Sequence, residues 1–302
     1  LTFTGGTTLQ AGANSLALSN NMTLAGLDTF DTQANKTPLS GALTGTGSLT
    51  KIGAGALTLS GTSNTYSGAT TISNGSLKAG AANAFSSASA VTVSSGATLD
   101  LNNSNQTIGS LAGAGSVALG SGNLTTGGDG SSTTYSGVMS GTGALVKNGA
   151  GSLTLSGANT YSGGTTLNAG TLVVSNNAAL GTGALTFTGG TTLQAGANSL
   201  ALSNNMTLAG VDTFDTQANN TTLSGALTGT GSLTNSSGTT TLSGTNAYTG
   251  ATTINGGTVK GGAASAFSSG SAATVNSSGT LDLGGYNQTV GSIAGQGTIT
   301  NT

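Results

Sequence analysis

Seven aspartates are the side chains of this sequence best suited to acid–base chemistry. Such chemistry draws on His, Glu, Asp, Lys, Tyr and Cys, and the chain contains no His, Glu or Cys. The aspartates are Asp28, Asp31, Asp100, Asp129, Asp212, Asp215 and Asp282. Two pairs lie in LDTFDT (27–32) and VDTFDT (211–216), and a carboxylate pair can cleave a glycosidic bond. A three-residue spacing in a strand directs two side chains to opposite faces, so we predict aspartates in turns or facing solvent, and no catalytic residue.

Metal and phosphate sites have only weak signatures in this chain. The string GGDGSS, at residues 127–132, is the nearest match to the calcium-binding β-helix repeat G-G-x-G-x-D. It offers one carboxylate, whereas Ca²⁺ takes about 6–8 oxygen ligands. The Gly-rich GTGSLTKIGAG, at residues 45–55, lacks the order of a phosphate-binding loop because Ile52 follows Lys51. We therefore predict no metal site and no cofactor.

Two lysines and three tyrosines recur at matching places. We predict that Lys51 and Lys147 are exposed, where they would discourage the pairing of strand edges. The tyrosines are Tyr66, Tyr161 and Tyr248. Their rings could form a row on which a ligand stacks. We favour rings that pack over the corners of the fold, with hydroxyls reaching solvent or backbone.

The composition excludes several classes of protein. Charged residues make up 4% of the chain, Gly accounts for 54 residues, and Glu and Arg are absent. Soluble helices usually expose such charged residues, and Gly is a poor helix former. The composition therefore excludes a mainly α-helical fold. A net charge of −2 does not supply the basic surface that nucleic-acid binding needs, so we predict no nucleic-acid partner. No apolar run reaches the roughly 18 residues of a membrane-spanning helix, and we predict no membrane insertion within this segment.

Hydrophobic residues make up 35% of the chain and alternate with polar ones. The triplet LTL at residues 57–59 recurs at 153–155, and Gly, Ser and Asn are frequent around both. This alternation predicts short strands, of about two to five residues, with one buried face. Leu155 should therefore point inward and Thr154 outward.

Two repeat periods organise the sequence. Residues 1–50 recur as 185–234 with three differences, which leaves 47 identities. A smaller unit occurs three times, at residues 55–77, 151–172 and 238–259. The first two copies follow a lead-in that contains a lysine, and the third copy has lost that lysine. Repeats with such short strands bury their apolar face only by stacking on their neighbours.

Stacking of this kind predicts an all-β fold, an elongated parallel β-helix. A β-propeller is the alternative, but its blades commonly carry aromatic and charged signatures that are missing here. With about 20–25 residues per turn, the chain holds about 12–15 turns. We expect residues 1–302 to form one continuous segment of a longer array, with long repeats at 1–184 and 185–302. Asn64 and Asn159 are predicted to stack at corners as side-chain ladders.

A known repeat resembles one stretch of this chain closely. The stretch is GAGSLTLSGANTYSGGTTLNAGTLVV at 149–174, with SNNAALGTGALTF at 175–187 and the lead-in GTGALVKNGAG at 141–151. It resembles the autotransporter-associated β-strand repeat, also called the passenger-associated transport repeat. The resemblance implies a right-handed parallel β-helix from the passenger of a Gram-negative outer-membrane autotransporter. Such passengers serve as stalks, adhesins or secretion-promoting segments.

The expected function is therefore that of an extracellular structural or adhesive segment, not an enzyme, at the cell surface of a Gram-negative bacterium. Its expected partner is the surface of a host or neighbouring cell. A second hypothesis is a subunit of an extracellular filament or sheath that self-associates with identical chains, because low charge removes the repulsion that keeps proteins apart. A polysaccharide-active β-helix enzyme is a minor third hypothesis. A translocator barrel in the full gene would favour the passenger, and polymers of the purified chain would favour the filament.

Overall fold

The computed structural model describes all 302 residues, and every regular element in it is a strand. The chain divides into two compact units, Leu1–Gly163 and Gly164–Thr302. Within each unit the strands pair in parallel and stack as the turns of a β-solenoid, with about 14 turns in all. The predicted all-β solenoid is confirmed, whereas the continuity of residues 1–302 within a longer array stays a prediction. No segment forms a helix long and apolar enough to cross a membrane.

The first unit contains short strands, as the alternation predicts. They are β1 (Thr8–Gln10), β2 (Met22–Leu24), β3 (Leu27–Asp31), β4 (Lys36–Leu39), β5 (Leu43–Gly45), β6 (Ser48–Ile52), β7 (Ala56–Leu59), β8 (Thr70–Ile72), β9 (Ser76–Ala79), β10 (Ala90–Val93), β11 (Thr98–Asp100), β12 (Gln106–Thr107), β13 (Ser110–Gly113), β14 (Ser116–Gly120), β15 (Leu124–Thr126), β16 (Thr133–Tyr135), β17 (Met139–Gly141), β18 (Leu145–Lys147) and β19 (Ser152–Leu155).

These strands form three faces around the interior of the first unit. One face pairs β1, β3, β6, β8, β10, β13, β16 and β19 in that order. A second pairs β4, β7, β9, β11, β14 and β17. The third carries the pair β2–β5 and the series β12–β15–β18. Each turn of the chain thus adds strands to successive faces, and every strand pairs with its counterpart one turn away.

The register places equivalent residues of successive turns on top of one another. Thr8 pairs with Thr29, and Thr29 pairs with Thr50, so one turn here takes about 21 residues, within the predicted range. Inside, the same register builds a continuous apolar column on the second face. The column consists of Leu57, Leu77, Leu99, Val117 and Met139, each at most 1% exposed. Burying such columns removes apolar area from water, which stabilises the stack.

The second unit contains longer strands than the sequence predicted. They are β20 (Thr165–Leu167), β21 (Thr171–Val174), β22 (Leu185–Phe187), β23 (Thr192–Ala195), β24 (Leu200–Leu202), β25 (Met206–Leu208), β26 (Val211–Leu223), β27 (Leu227–Gly229), β28 (Ser232–Leu242), β29 (Thr252–Gly261), β30 (Ala272–Asp282), β31 (Ser292–Gly295) and β32 (Thr298–Thr300).

Strands β26, β28, β29 and β30 have 10 to 13 residues, so the predicted length of two to five residues is wrong for them. The reason is that pairing continues around a corner of the solenoid. Along β26 and β28 the register shifts after Phe214 and again after Asp215, as at a β-bulge. Such a bulge bends the strand without ending it.

Glycine is required where corners of successive turns approach closely. Gly45 has a φ of +100°, and a Cβ added there would lie 2.2 Å from the carbonyl oxygen of Leu24. Gly229, its counterpart in the second unit, has the same φ, and its Cβ would lie 2.3 Å from the carbonyl oxygen of Leu208. A side chain is excluded at both positions by backbone conformation and by space.

Leu155 and Thr154 test the alternation directly. Leu155 is fully buried and Thr154 is half-buried on the outer face of β19, as predicted. We expect Leu155→Asp to lower the free energy of unfolding by several kcal/mol, because it buries an unpaired charge. Thr154→Asp should change it by less than about 1 kcal/mol. Chemical denaturation of both variants measures the difference, and equal destabilisation would contradict the inward and outward assignment.

Candidate functional site

Lys51 is fully buried, so the prediction of an exposed lysine is wrong. It shares the inward face of β6 with Leu49, two residues before it. Its Nζ donates hydrogen bonds to the carbonyl oxygens of Ile52 (2.8 Å), Gly53 (2.7 Å) and Asn74 (3.0 Å). The ammonium group therefore satisfies turn carbonyls inside the fold, two from its own turn and one from the next.

Lys147 occupies the same kind of position in β18 and is also fully buried, so its predicted exposure is wrong as well. Its Nζ donates to the carbonyl oxygens of Asn148 (2.7 Å) and Gly149 (2.9 Å). The two lysines of the repeat lead-in thus have one structural role. A buried amine is tolerable because carbonyl oxygens replace the water that it loses.

Asn235 takes over this role in the third copy, which lacks the lysine. Its strand pairs with β26 as β6 pairs with β3, so that Asn235 faces Phe214 where Lys51 faces Phe30. Its Nδ2 donates to the carbonyl oxygen of Gly256 at 2.7 Å, and its Oδ1 accepts from the hydroxyl of Thr240 at 2.7 Å. The loss of the lysine therefore leaves this turn folded.

Burial also sets the charge state of these lysines. It lowers the pKa of Lys51 to about 8, and the Asp31 carboxylate opposes the change. Burial likewise lowers the pKa of Lys147, opposed by Asp129. At neutral pH the Lys51 ammonium keeps its charge. Because the side chain has no exposed surface, it is not placed to act as a nucleophile on an outside substrate.

The recurring tyrosines are buried rather than arranged for stacking on a ligand. Tyr66 is 1% exposed, and its hydroxyl shares a hydrogen bond with that of Thr70 at 2.7 Å. Thr70 shares another with the hydroxyl of Ser89 at 2.8 Å, and Ser89 donates to the carbonyl of Gly68. Burial raises the pKa of Tyr66 to about 12. The favoured packing role is confirmed, although the hydroxyl meets a threonine and not solvent or backbone.

The same network occurs in the third copy. Tyr248 shares a hydrogen bond with Thr252 at 2.6 Å, and Thr252 shares one with Ser271 at 2.8 Å. Tyr161 is buried too. All three tyrosines thus lie inside the fold, where no ligand can stack on them.

Asn64 and Asn159 do not form the predicted ladders. Asn64 accepts a hydrogen bond from the amide of Leu43 (2.6 Å) and donates to the carbonyl oxygen of Ala84 (2.6 Å), so it links three successive turns through backbone groups. Asn159 likewise accepts from the amide of Met139 at 2.8 Å. These asparagines lie several turns apart, so they cannot stack on each other, and the backbone provides their partners.

The prediction of turn or solvent-facing aspartates is wrong for four of the seven, which are buried: Asp28, Asp31, Asp212 and Asp282. Asp28 is fully buried on the same face of β3 as Phe30, and its Oδ1 accepts from the hydroxyl of Thr7 at 2.7 Å. Asp31 points to the opposite face and accepts from Nε2 of Gln10 at 2.9 Å. Each carboxylate therefore connects its own turn to the preceding one.

The second pair repeats this arrangement. Asp212 is fully buried and accepts from the hydroxyl of Thr191 at 2.9 Å, and burial raises its pKa. Asp215 lies on the outer face and accepts from Nε2 of Gln194 at 3.0 Å and from the hydroxyl of Ser237 at 2.7 Å. Because the two carboxylates of a pair lie on opposite faces of one strand, they cannot act together on one glycosidic bond.

The remaining aspartates include one at the surface turn that resembles a calcium motif. Asp129 is exposed and accepts a hydrogen bond from the amide of Ser131 at 2.9 Å. No group of three or more His, Cys, Asp or Glu side chains is close enough to hold a metal ion. Asp100 and Asp282 form ion pairs with Lys78 and Lys260 at 3.2 and 3.1 Å.

The segments that carry these internal contacts match a known family. They match the passenger-associated-transport-repeat family at residues 49–79, 145–174, 179–197 and 235–260. The first, second and fourth segments begin at or just before Lys51, Lys147 and Asn235, the residues that satisfy the turn carbonyls.

The chain contains passenger-associated transport repeats at these four segments. A curated relative of this repeat protein is the Adhesin BmaC autotransporter of Brucella suis biovar 1 (strain 1330), which is 36% identical over 175 residues. The match covers 53% of this chain and 5% of the relative, so the chain spans a small part of the relative's length. No solved structure matches the chain significantly. The repeats and this relative support the predicted resemblance to autotransporter passengers.

The contribution of the Lys51 hydrogen bonds to stability can be tested by a substitution that removes the amine and keeps the volume of the side chain. We expect Lys51→Met to lower the free energy of unfolding by about 1–3 kcal/mol, because the carbonyls of Ile52, Gly53 and Asn74 lose their partner. The control Lys78→Met removes only a surface ion pair and should cost less than about 1 kcal/mol. Urea denaturation measures both. A Lys51→Met variant as stable as the parent would show that the cost of burying the amine offsets its hydrogen bonds.

The lowered pKa of Asp215 predicts how the free energy of unfolding depends on pH. Burial raises the pKa of Asp215, but hydrogen bonds from Ser237, Gln194 and Gln217 outweigh burial and hold it at about 2, below the usual 3.8. The unfolded chain therefore takes up this proton first, and stability is lost as pH falls from about 4 to about 2. Because Asp215 is partly exposed, we expect this contribution to be on the order of 1 kcal/mol.

Denaturation at about pH 5 and about pH 2 measures this loss. In Asp215→Asn the loss should be smaller than in the parent chain, since that site no longer titrates. Thr134→Ala, at an exposed residue of β16 that carries no titratable group, serves as the control and should lose as much stability as the parent does. An unchanged loss in Asp215→Asn would contradict the assignment.

Proposed function

We propose that this chain is a non-enzymatic adhesive segment of an autotransporter passenger, displayed outside the cell at the outer surface of a Gram-negative bacterium. The observation that carries the proposal is the match to passenger repeats. The likeness to the BmaC adhesin over 175 residues supports the adhesive part. The expected partner is the surface of a host or neighbouring cell.

The use of the charged and nucleophilic side chains supports a non-enzymatic role. Lys51, Lys147 and Asp212 are buried and bound to groups of their own or neighbouring turns. Asp28 and Asp31 lie on opposite faces of β3. Side chains that could do chemistry are thus used to hold turns together, and the outer faces present mainly Thr, Ser and Asn. Adhesion through such a surface would depend on many neutral polar contacts.

Self-association is a second candidate, and the low charge favours it. A net charge of −2 over 302 residues provides little repulsion between copies. In this case the chain would form filaments with identical chains. Light scattering of the purified chain separates the two: a stable monomer supports the adhesive segment, and growth of long polymers supports the filament.

Surface display tests the adhesive role. The chain is fused to a translocator in a non-adherent Gram-negative strain, and attachment to cultured epithelial cells is counted. We expect several-fold more attachment than with the translocator alone, and loss of that gain in Leu155→Asp, which disrupts the fold. Thr154→Asp should retain it. Attachment equal to that of the translocator alone would reject the adhesive role.

A further inference from the structure

We propose that a surface groove in the first unit binds a neutral saccharide of one or two pyranose units. The groove has a volume of about 430 Å³. Hydroxyl and amide side chains line it, from Thr62, Ser63, Thr65, Asn83, Ser87 and Thr107. Its volume lies in the range of small-ligand sites, about 300–1,000 Å³. This inference rests on the proposed adhesive function and names a ligand class for it.

The polar groups of the groove are available to a ligand. None of those six side chains has a hydrogen-bond partner within the chain. The backbone amides nearby are occupied: Thr65 donates to the carbonyl of Leu43 (2.8 Å), and Asn83 donates to that of Asn105 (3.0 Å). A peptide that binds by adding a strand needs free backbone groups. The groove instead offers side-chain hydroxyls and one amide, which match the hydroxyl groups of a sugar.

The absence of charged side chains and the composition of the groove floor restrict the class of ligand further. No charged side chain lines it, so an anionic or cationic ligand would lose water without gaining a countercharge. Phe85 and Asn64 form part of the lining and are 3% and 7% exposed. Because both side chains are buried, they support the floor of the groove from beneath, and a ligand would meet the exposed hydroxyl and amide groups above them.

The frame of the groove is fixed before any ligand binds. Asn64 is held by the amide of Leu43 and the carbonyl of Ala84. The amide of Phe85 donates to Oε1 of Gln106 at 3.1 Å, and Nε2 of Gln106 donates to the carbonyl of Ala81 at 2.7 Å. A fixed frame lowers the entropy lost on binding.

The third repeat copy has the same frame with a different lining. Ser265 has a φ of 54°, as Asn83 has 53°, and the amide of Phe267 donates to Oε1 of Gln288 at 3.2 Å. In sequence, Ala247 stands where the first copy has Thr65, and Ser265 stands where it has Asn83. The frame therefore folds with Ala and Ser at these positions, so it needs neither the Thr65 hydroxyl nor the Asn83 amide, although Asn also suits the positive φ of residue 83.

This internal comparison supplies a variant that should fold. The double variant Thr65→Ala and Asn83→Ser introduces the residues that the third copy already has. We expect its melting temperature to stay close to that of the parent. Thr134→Ala, an exposed threonine of β16 outside the groove, is the matched control.

Binding is measured by calorimetric titration of the 302-residue chain with cellobiose, lactose and N,N′-diacetylchitobiose, with sialyllactose as the charged comparison. We expect at least one neutral disaccharide to bind with a Kd on the order of 0.1–10 mM. The double variant should bind about tenfold more weakly or not at all, and Thr134→Ala should bind as the parent does. Beads that carry the same disaccharide at its reducing end then test whether a surface-attached glycan is bound as the free sugar is.

Three outcomes would overturn the proposal: no binding of any neutral disaccharide, equal binding by the double variant, or tighter binding of an uncharged Ser/Thr-rich peptide than of any sugar. Attachment of displaying cells is scored separately. Attachment that persists without sugar binding rejects the groove and leaves the adhesive function intact. Sugar binding without attachment supports the groove and rejects the adhesive function.

Discussion

Parallel pairing between successive turns is the interaction on which the rest of this structure depends. A turn of about 21 residues, such as that from Thr8 to Thr29, cannot enclose a core by itself. It becomes stable when its strands pair with those of the turn before and after. Pairing in a constant register then places like residues above one another, as in the apolar column that includes Leu57, Leu77 and Leu99.

The same constraint determines which hydrogen-bond partners are within reach of the polar side chains that face inward. An inward polar group cannot reach water, so it must find a partner in its own turn or in an adjacent one. Lys51 uses turn carbonyls, Tyr66 uses a threonine, and Asp28 uses the hydroxyl of Thr7 one turn earlier. These contacts also fix the register, because a slip of one residue would leave each of them unpaired.

Function is then left to the outer surface and its loops. Since turns differ little in their interior, they differ mainly in the loops between strands and in outward residues. The loops at Thr65 and Asn83 differ from their counterparts at Ala247 and Ser265, while the contacts beneath them are the same. A repeat fold can therefore acquire a binding site by local changes that leave its stacking unchanged.

The sequence by itself determined the all-β solenoid and the inward position of Leu155, because alternation and tandem repetition follow directly from strand geometry and stacking. The turn of about 21 residues is given by the strand register. Alternation could also have placed Lys51 inside, since it stands two residues after Leu49, but charge suggested the surface. Only the tertiary structure decided that Lys51, Asn64 and one carboxylate oxygen of Asp28 find hydrogen-bond partners inside, while the other oxygen of Asp28 has none. Their partners are carbonyl, hydroxyl and amide groups about one turn away, and sequence spacing does not show which of these groups come within hydrogen-bonding distance.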